Sequence, residues 1–251
     1  MIDTHAHILS FDDKEDVIGS MKEDGLDVIV NIGTTLEDSK LGVELANENE
    51  NVYTTVGIYP ELVYNITDDD LNKLEELAKS KKVVAIGEIG LDYHAENFDK
   101  DKQIEIFVKQ LEIADRLGLP FCVHCRNAVD DVYQTLLNNK HLINHSGLMH
   151  CYSEGKDWFR KFLDLGLYIS FSGNITFKKN DRSFLKDIDL NKLLVETDSP
   201  YLSPEPFRGR VNRPKNVRYV IEKIASEIGL SFDELEKITT ENAKRFYFKI
   251  R

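Results

Sequence analysis

His5 and His7 stand two positions apart in the opening stretch Ile2-Asp3-Thr4-His5-Ala6-His7. On a β-strand, residues i and i+2 share a face, so a His-x-His at a strand end aims two imidazoles at one point. Imidazole is the commonest protein ligand of borderline divalent metals. Helical zinc motifs space their histidines at i and i+4, so this spacing implies a strand-borne site. Alone the pair says little, since a solvated or hydrogen-bonded pair would read the same. It gains meaning because further donors recur where later apolar runs end. Glu88 stands in Gly87-Glu88-Ile89-Gly90-Leu91-Asp92-Tyr93, and His124 in Val123-His124-Cys125-Arg126. His150 stands in Met149-His150-Cys151-Tyr152, and Asp198 in Val195-Glu196-Thr197-Asp198-Ser199-Pro200.

The elements that must position these donors alternate along the chain. Short β-branched or apolar runs predict buried strands at Met1–His7, Asp27–Ile32, Val52–Ile58, Val83–Ile89, Pro120–Cys125, Gly147–Tyr152, Leu167–Ser172 and Leu193–Thr197. Amphipathic stretches between them predict helices at Asp13–Asp24, Leu36–Glu50, Thr67–Lys81, Lys102–Leu117, Val129–Asn138 and Trp158–Leu165. A weaker helical stretch covers Asn180–Leu190, and the chain closes with Pro214–Ile228 and Ser231–Arg245. Eight strand–helix units in 251 residues indicate a single-domain (β/α)8 TIM barrel spanning 1–251. A doubly wound open sheet would need a Gly-rich first βα turn, which is missing.

In such a barrel the chemistry sits at the C-terminal strand ends, so four histidines and at least two carboxylates converge on one mouth. Singly, each has an ordinary explanation: a satisfied core histidine, a paired carboxylate, a helix cap at Asp198. Together, uncompensated charges in one low-dielectric mouth would cost several kcal/mol, comparable with the stability of a whole domain. Two divalent cations offset that cost. Six donors exceed one tetrahedral site, so the economical arrangement is two ions roughly 3.5–4 Å apart that share a carboxylate. Strands 1 and 8 are neighbours in a closed barrel, which assigns His5, His7 and Asp198 to one ion. His124 and His150 serve the other, and Glu88 bridges. The donor set admits Zn, Mn, Fe, Co, Ni or, more weakly, Mg. By contrast, His94, His141 and His145 fall in loops or near helix ends and read as surface residues.

Composition narrows the class. The 41% hydrophobic and 30% charged fractions are those of an ordinary globular protein, and no run approaches a membrane span. The N-terminus lacks a signal-peptide pattern, and three cysteines argue against a disulfide framework, so a cytoplasmic protein is expected. Cys122 and Cys125 lie inside a predicted strand and read as reduced packing residues. The net charge of −12 excludes a general positive coat for nucleic acid. There is a local exception. Five bases (Arg208, Arg210, Arg213, Lys215 and Arg218) and no acid lie between Pro206 and Ile221, while Lys178, Lys179 and Arg182 follow the seventh strand. Loops after strands 7 and 8 often hold phosphate in barrels.

The chain resembles the TatD family of metal-dependent hydrolases. The matching segments are Asp3-Thr4-His5-Ala6-His7, Gly87–Tyr93, His124-Cys125-Arg126, His150-Cys151-Tyr152-Ser153, Glu196–Leu202 and Thr240-Glu241-Asn242-Ala243. They occur in family order and span essentially the whole chain. The resemblance implies an amidohydrolase-like (β/α)8 barrel, two divalent cations on the ligand set above, and deoxyribonuclease activity, mainly as a 3′-to-5′ exonuclease. Two departures stand out. Glu154 replaces the usual Gly after the His-Cys-aromatic-Ser motif. Arg213 precedes Pro214, where many relatives carry an acid.

The expected reaction is in-line displacement at phosphorus by a metal-bound hydroxide, with Asp198 accepting the water's proton and Glu88 holding the ions together. Arg126, Arg208, Arg210 and Arg213 are the expected phosphate contacts, and Asp92 is expected to orient a ligand histidine. The substrate would be DNA ends, single-stranded, read with little sequence specificity and with no membrane involved. The rival reading is hydrolysis of an amide, a lactone or an aminoacyl-tRNA ester, since the same ligands serve attack on carbon.

Overall fold

The computed structural model describes residues 1–178 and 181–250. Eight parallel strands form one sheet in sequential order: β1 (Ile2–Ala6), β2 (Val28–Asn31), β3 (Val52–Val56), β4 (Val83–Asp92), β5 (Phe121–Arg126), β6 (Gly147–Met149), β7 (Tyr168–Phe171) and β8 (Leu193–Val195). The sheet curls until β8 returns to β1. A parallel bridge joins Ala6 to Ser199, Asp198 N donates to His5 O at 2.9 Å, and His7 N donates to Ser199 O at 2.8 Å. This is the (β/α)8 barrel the alternation predicts.

The helices are α1 (Lys14–Gly19), α2 (Leu36–Glu48), α3 (Asp68–Ala78), α4 (Lys100–Leu117), α5 (Val129–Asn138), α6 (Lys156–Asp164), α7 (Val217–Ile228) and α8 (Phe232–Phe246). Local chemistry sets several of their ends. Thr67 with Asp70, and Ser231 with Glu234, form reciprocal capping boxes that satisfy free N–H groups at the first turns of α3 and α8. α4 starts at Asp99, whose side chain accepts from Lys102 N, and stops at Gly118 in the left-handed conformation. Six strands are buried on both faces throughout, as a sheet wrapped in helices requires. Where the strands begin, Ile2, Val28, Val84, Cys122, Leu148 and Leu194 pack with Phe246, Tyr247 and Ile250 from the C-terminal segment. That plug closes the bottom of the barrel and leaves the top for chemistry.

Several boundaries differ from the sequence reading; α1, for one, ends at Gly19 rather than Asp24. β4 runs on to Asp92, past the expected end at Ile89, because Gly90 continues the ladder rather than breaking it. At Gly90 φ is 132°, and a Cβ there would fall 2.1 Å from the carbonyl oxygen of His124. Only glycine permits this approach. β6 and β8 end early, at Met149 and Val195, so His150 and Asp198 stand just beyond them. In place of the weaker helix at Asn180–Leu190, the described part holds 3-10 turns at Ser183–Asp187 and Leu190–Lys192. Lys179 and Asn180 lie outside the described residues.

Candidate metal centre

Strand alternation and barrel closure bring His5, His7, Glu88, His124, His150 and Asp198 to one point. Glu88 is its centre, and its two oxygens face different partners. Oε1 lies 2.9 Å from His124 Nδ1 and 2.9 Å from His150 Nε2. Oε2 lies 3.6 Å from His5 Nε2 and 3.9 Å from His7 Nε2. Asp198 Oδ1 faces the same pair, 3.6 Å from His5 Nε2 and 3.4 Å from His7 Nε2. The rings of His5 and His150 stack at 4.0 Å, so the two halves adjoin. Within this cluster His5, His7 and Glu88 offer one compact donor set, Glu88, His124 and His150 a second, and His5, His150 and Asp198 a third.

The backbone aims these groups at some cost. Cys151 and Asp198 leave their strands with φ of 48° and 54°, a region non-glycine residues avoid. Each such residue costs on the order of 1 kcal/mol and persists where surrounding contacts hold it. At Asp198 the hold is the bond from its N–H to His5 O. Asp3, fully buried beneath, accepts from Thr197 N at 2.9 Å and binds the Thr197 hydroxyl, tying β1 to the end of β8.

The two histidines that face Glu88 Oε1, His124 and His150, each have the other nitrogen held by a carboxylate. His124 Nε2 lies 2.8 Å from Asp92 Oδ2, to which Tyr59 also donates at 2.8 Å. His150 Nδ1 lies 3.3 Å from Glu196 Oε1, and Glu196 is itself fixed by Cys151 N and the Ser170 hydroxyl. A carboxylate on the far nitrogen places the proton there and leaves the near nitrogen's lone pair for a cation. Asp92 therefore sits where the sequence reading put it. Glu196 and Tyr59 were not assigned roles from sequence. For Glu196 the one signal was a second buried carboxylate two residues before Asp198, whereas Tyr59 carried none. Cys122, expected only to pack, points its Sγ at His5 Nδ1, 3.7 Å away. His94, His141 and His145 are exposed and apart from the cluster.

The electrostatics of the metal-free cluster follow from this packing. Burial opposes ionisation of Glu88, but the charge on His150, bonds from His124 and His150 and the nearby His5 hold its carboxyl well below the usual range. Burial likewise opposes charge on His150, yet Glu88 and Glu196 push it well above the ordinary imidazole value. His124 and His7 are raised against burial too, by Asp92 with Glu88 and by Asp198 with Glu88 respectively. His5 moves down, because burial and the charge on His150 outweigh the carboxylates. Only its Nδ1 has a partner, the Cys122 thiol. His5 Nε2 is buried without a hydrogen bond, with two carboxylate oxygens 3.6 Å off. An orphaned imidazole nitrogen among imidazoles and carboxylates fits a divalent cation.

The cluster floors a cavity of about 700 Å³ whose walls include Leu9, Ile32, Leu62, Tyr59, Tyr201 and Arg126. Of the four arginines expected to hold phosphate, only Arg126 lines it. Arg213 is turned aside, its guanidinium 2.8 Å from Asp13 and stacked over Phe11. Arg208 stacks on Phe177, and Arg210 and Arg213 line a separate cleft with Phe207 and Tyr219. Lys215 pairs with Asp24, and Arg182 with Glu227. Arg213, Lys215 and Arg182 are thus answered by acids distant in sequence, which linear inspection could not reveal, while Arg218 pairs with Glu222 one helical turn away.

A family model described as "TatD related DNase" matches residues 2–248. The "Uncharacterized metal-dependent hydrolase YabD" of Bacillus subtilis (strain 168) is 38% identical over 252 residues, covering 98% of each chain. The similarly named YcfH of Escherichia coli (strain K12) is 36% identical over 256 residues, covering 98% of this chain and 95% of its own. Among solved structures, YJJV, a TatD homolog from Escherichia coli K12, superposes with a TM-score of 0.92 at 26% identity, covering 99% of this chain and 98% of that one.

Proposed function

Because this chain belongs to the TatD family of metal-dependent hydrolases, we propose that it cleaves phosphodiester bonds at DNA ends, removing nucleotides from the 3′ end of a single strand. The observation that carries this reading is the division of Glu88, whose two oxygens address two separate histidine sets. In the proposed assignment, His5, His7 and Asp198 would hold one divalent cation, His124 and His150 would hold a second, and Glu88 would serve as a ligand to both. Bound there, such cations supply Lewis acidity and neutralise charge developing at phosphorus.

The chain's own groups supply the rest. Asp198 Oδ1 faces the open side beside His7 and accepts the proton of the attacking water. Asp92 and Glu196 keep protons on the outer nitrogens of His124 and His150, so neither ring turns during turnover. Burial and the charge of Glu88 push the Tyr59 hydroxyl's pKa up, so Tyr59 stays protonated and donates to Asp92. Arg126, exposed on the cavity wall, orients a phosphate oxygen. Leu9, Ile32 and Leu62 limit water at the reacting atoms.

The test is shortening of single-stranded DNA labelled at the 3′ or 5′ end by protein stripped of metal and reloaded with single cations, beside an aminoacyl ester. Stepwise loss from the 3′ end is expected. Asp198→Asn should fold normally and lose at least about a hundredfold in turnover, within the range for a general base. Ester hydrolysis with DNA left intact under every cation would hand the site to acyl chemistry.

A further inference from the structure

The cavity wall carries an aromatic side chain that folding does not account for. Tyr201 is 57% exposed, although its backbone is firmly held. Its N–H donates to Asp198 O at 2.9 Å, and its carbonyl accepts from Nδ2 of fully buried Asn212 at 2.7 Å. The turn that presents Asp198 to His7 therefore fixes this ring too. The ring meets His7 edge-on, with centroids 5.7 Å apart, and borders the same cavity as Glu88 and His124. Leu62, 48% exposed, adds a second apolar surface to that cavity. Large apolar groups left in water around a reactive cleft mark a surface that a ligand covers.

The ligand's chemistry follows from what else the cavity offers. Among the described residues, Arg126 is the one lysine or arginine that lines it, so the cationic contacts they offer a phosphate backbone are sparse. A strand held here must gain affinity elsewhere. Stacking on an aromatic ring does this without selecting among bases, because every base has a π-face. One sugar separates a terminal base from its phosphate, which suits a ring set directly beside His7 and Asp198.

We propose that Tyr201 is a stacking platform for the terminal nucleobase of a strand whose phosphate lies over the Glu88 cluster. This rests on the phosphodiesterase reading, and the test separates the two. On a single-stranded oligonucleotide, Tyr201→Ala should raise KM about tenfold, Tyr201→Leu should do the same, and Tyr201→Phe should stay near the parent. On an oligonucleotide ending in an abasic site, parent and Tyr201→Ala should be alike. Tyr201→Trp supplies a second readout, since its indole emission should be quenched by a non-hydrolysable phosphorothioate oligonucleotide. The native Trp158 packs against Tyr133 and Phe162 and does not line the cavity, so the parent should show no change. Equal KM for Tyr201→Ala and parent on the normal strand, with no quenching of the tryptophan variant, overturns the platform. A parent that cuts no DNA defeats the phosphodiesterase reading instead, and quenching by the oligonucleotide still decides for or against the platform.

Discussion

Replacing Asp92 by Asn removes one charge and changes almost no volume, so it isolates the hydrogen-bond logic beneath His124. Asp92 Oδ2 receives Tyr59 and faces His124 Nε2, while Oδ1 accepts from His94 N at 2.9 Å. All three neighbours donate. An amide has one oxygen, so its NH2 group must confront a donor on one side or the other. The escape is for His124 to move its proton to Nδ1, the atom 2.9 Å from Glu88, which destroys the lone pair a cation would use. Burial alone would raise the Asp92 carboxyl, but His124, the His94 N–H and Tyr59 outweigh it and hold it at about 2. Against its ordinary value of 3.8, that favours the carboxylate by about 2 kcal/mol. Roughly thirtyfold in affinity for the ion at His124 and His150 is then at stake, within the 10–100-fold range of such outer partners. Calorimetric titration of the metal-free variant should show one class of site weakened by about that factor and the other unchanged, with thermal unfolding little altered. Two undisturbed affinities would refute the tautomer argument.

Two further outcomes follow from the site's charges. In the metal-free protein His7, His124 and His150 stay protonated above their usual 6.5, so a cation must displace protons. Apparent metal affinity should fall about tenfold or more per pH unit below those raised values, with proton release seen as buffer-dependent binding heat. The sign for stability is opposite. These ion pairs support the metal-free fold fully below 6.5 and are lost as pH rises through the raised values, so its melting temperature should decline in that window. The arginines should separate as well. Arg126→Ala should reduce the slope of log KM against log salt for single-stranded DNA by about 0.7, and Arg213→Ala, whose guanidinium is already paired, should leave it unchanged. A larger slope change at Arg213 than at Arg126 would show that the Asp13 pair opens to bind substrate.

Much of this molecule is legible in one dimension because its regularities are local. A short run of β-branched and apolar residues marks a buried strand whatever its partners, and Ser231 three residues before Glu234 marks a helix start without reference to the rest of the chain. His5 and His7 share a direction for the same reason, and barrel geometry carries that direction to Glu88, His124, His150 and Asp198. Local rules failed where a neighbour overrode them. Gly90 looks like a strand breaker, yet it extends β4 because the backbone at His124 comes too close for any side chain. That extension puts Asp92 against His124.

What the sequence by itself determined, then, is the alternation of strands and helices, the barrel they imply, and the donors at the strand ends. Each depends on spacing and residue type, which any short window contains. Pairings across the barrel were decided only by tertiary structure. Arg213 reads as a free cation until Asp13, two hundred positions earlier, is brought to it. Glu196 reads as one more acid until closure sets it against His150, and Tyr59 as a loop aromatic until it reaches Asp92. Charge and hydrogen bonding act over a few ångströms of space, and separation along the chain does not predict that distance.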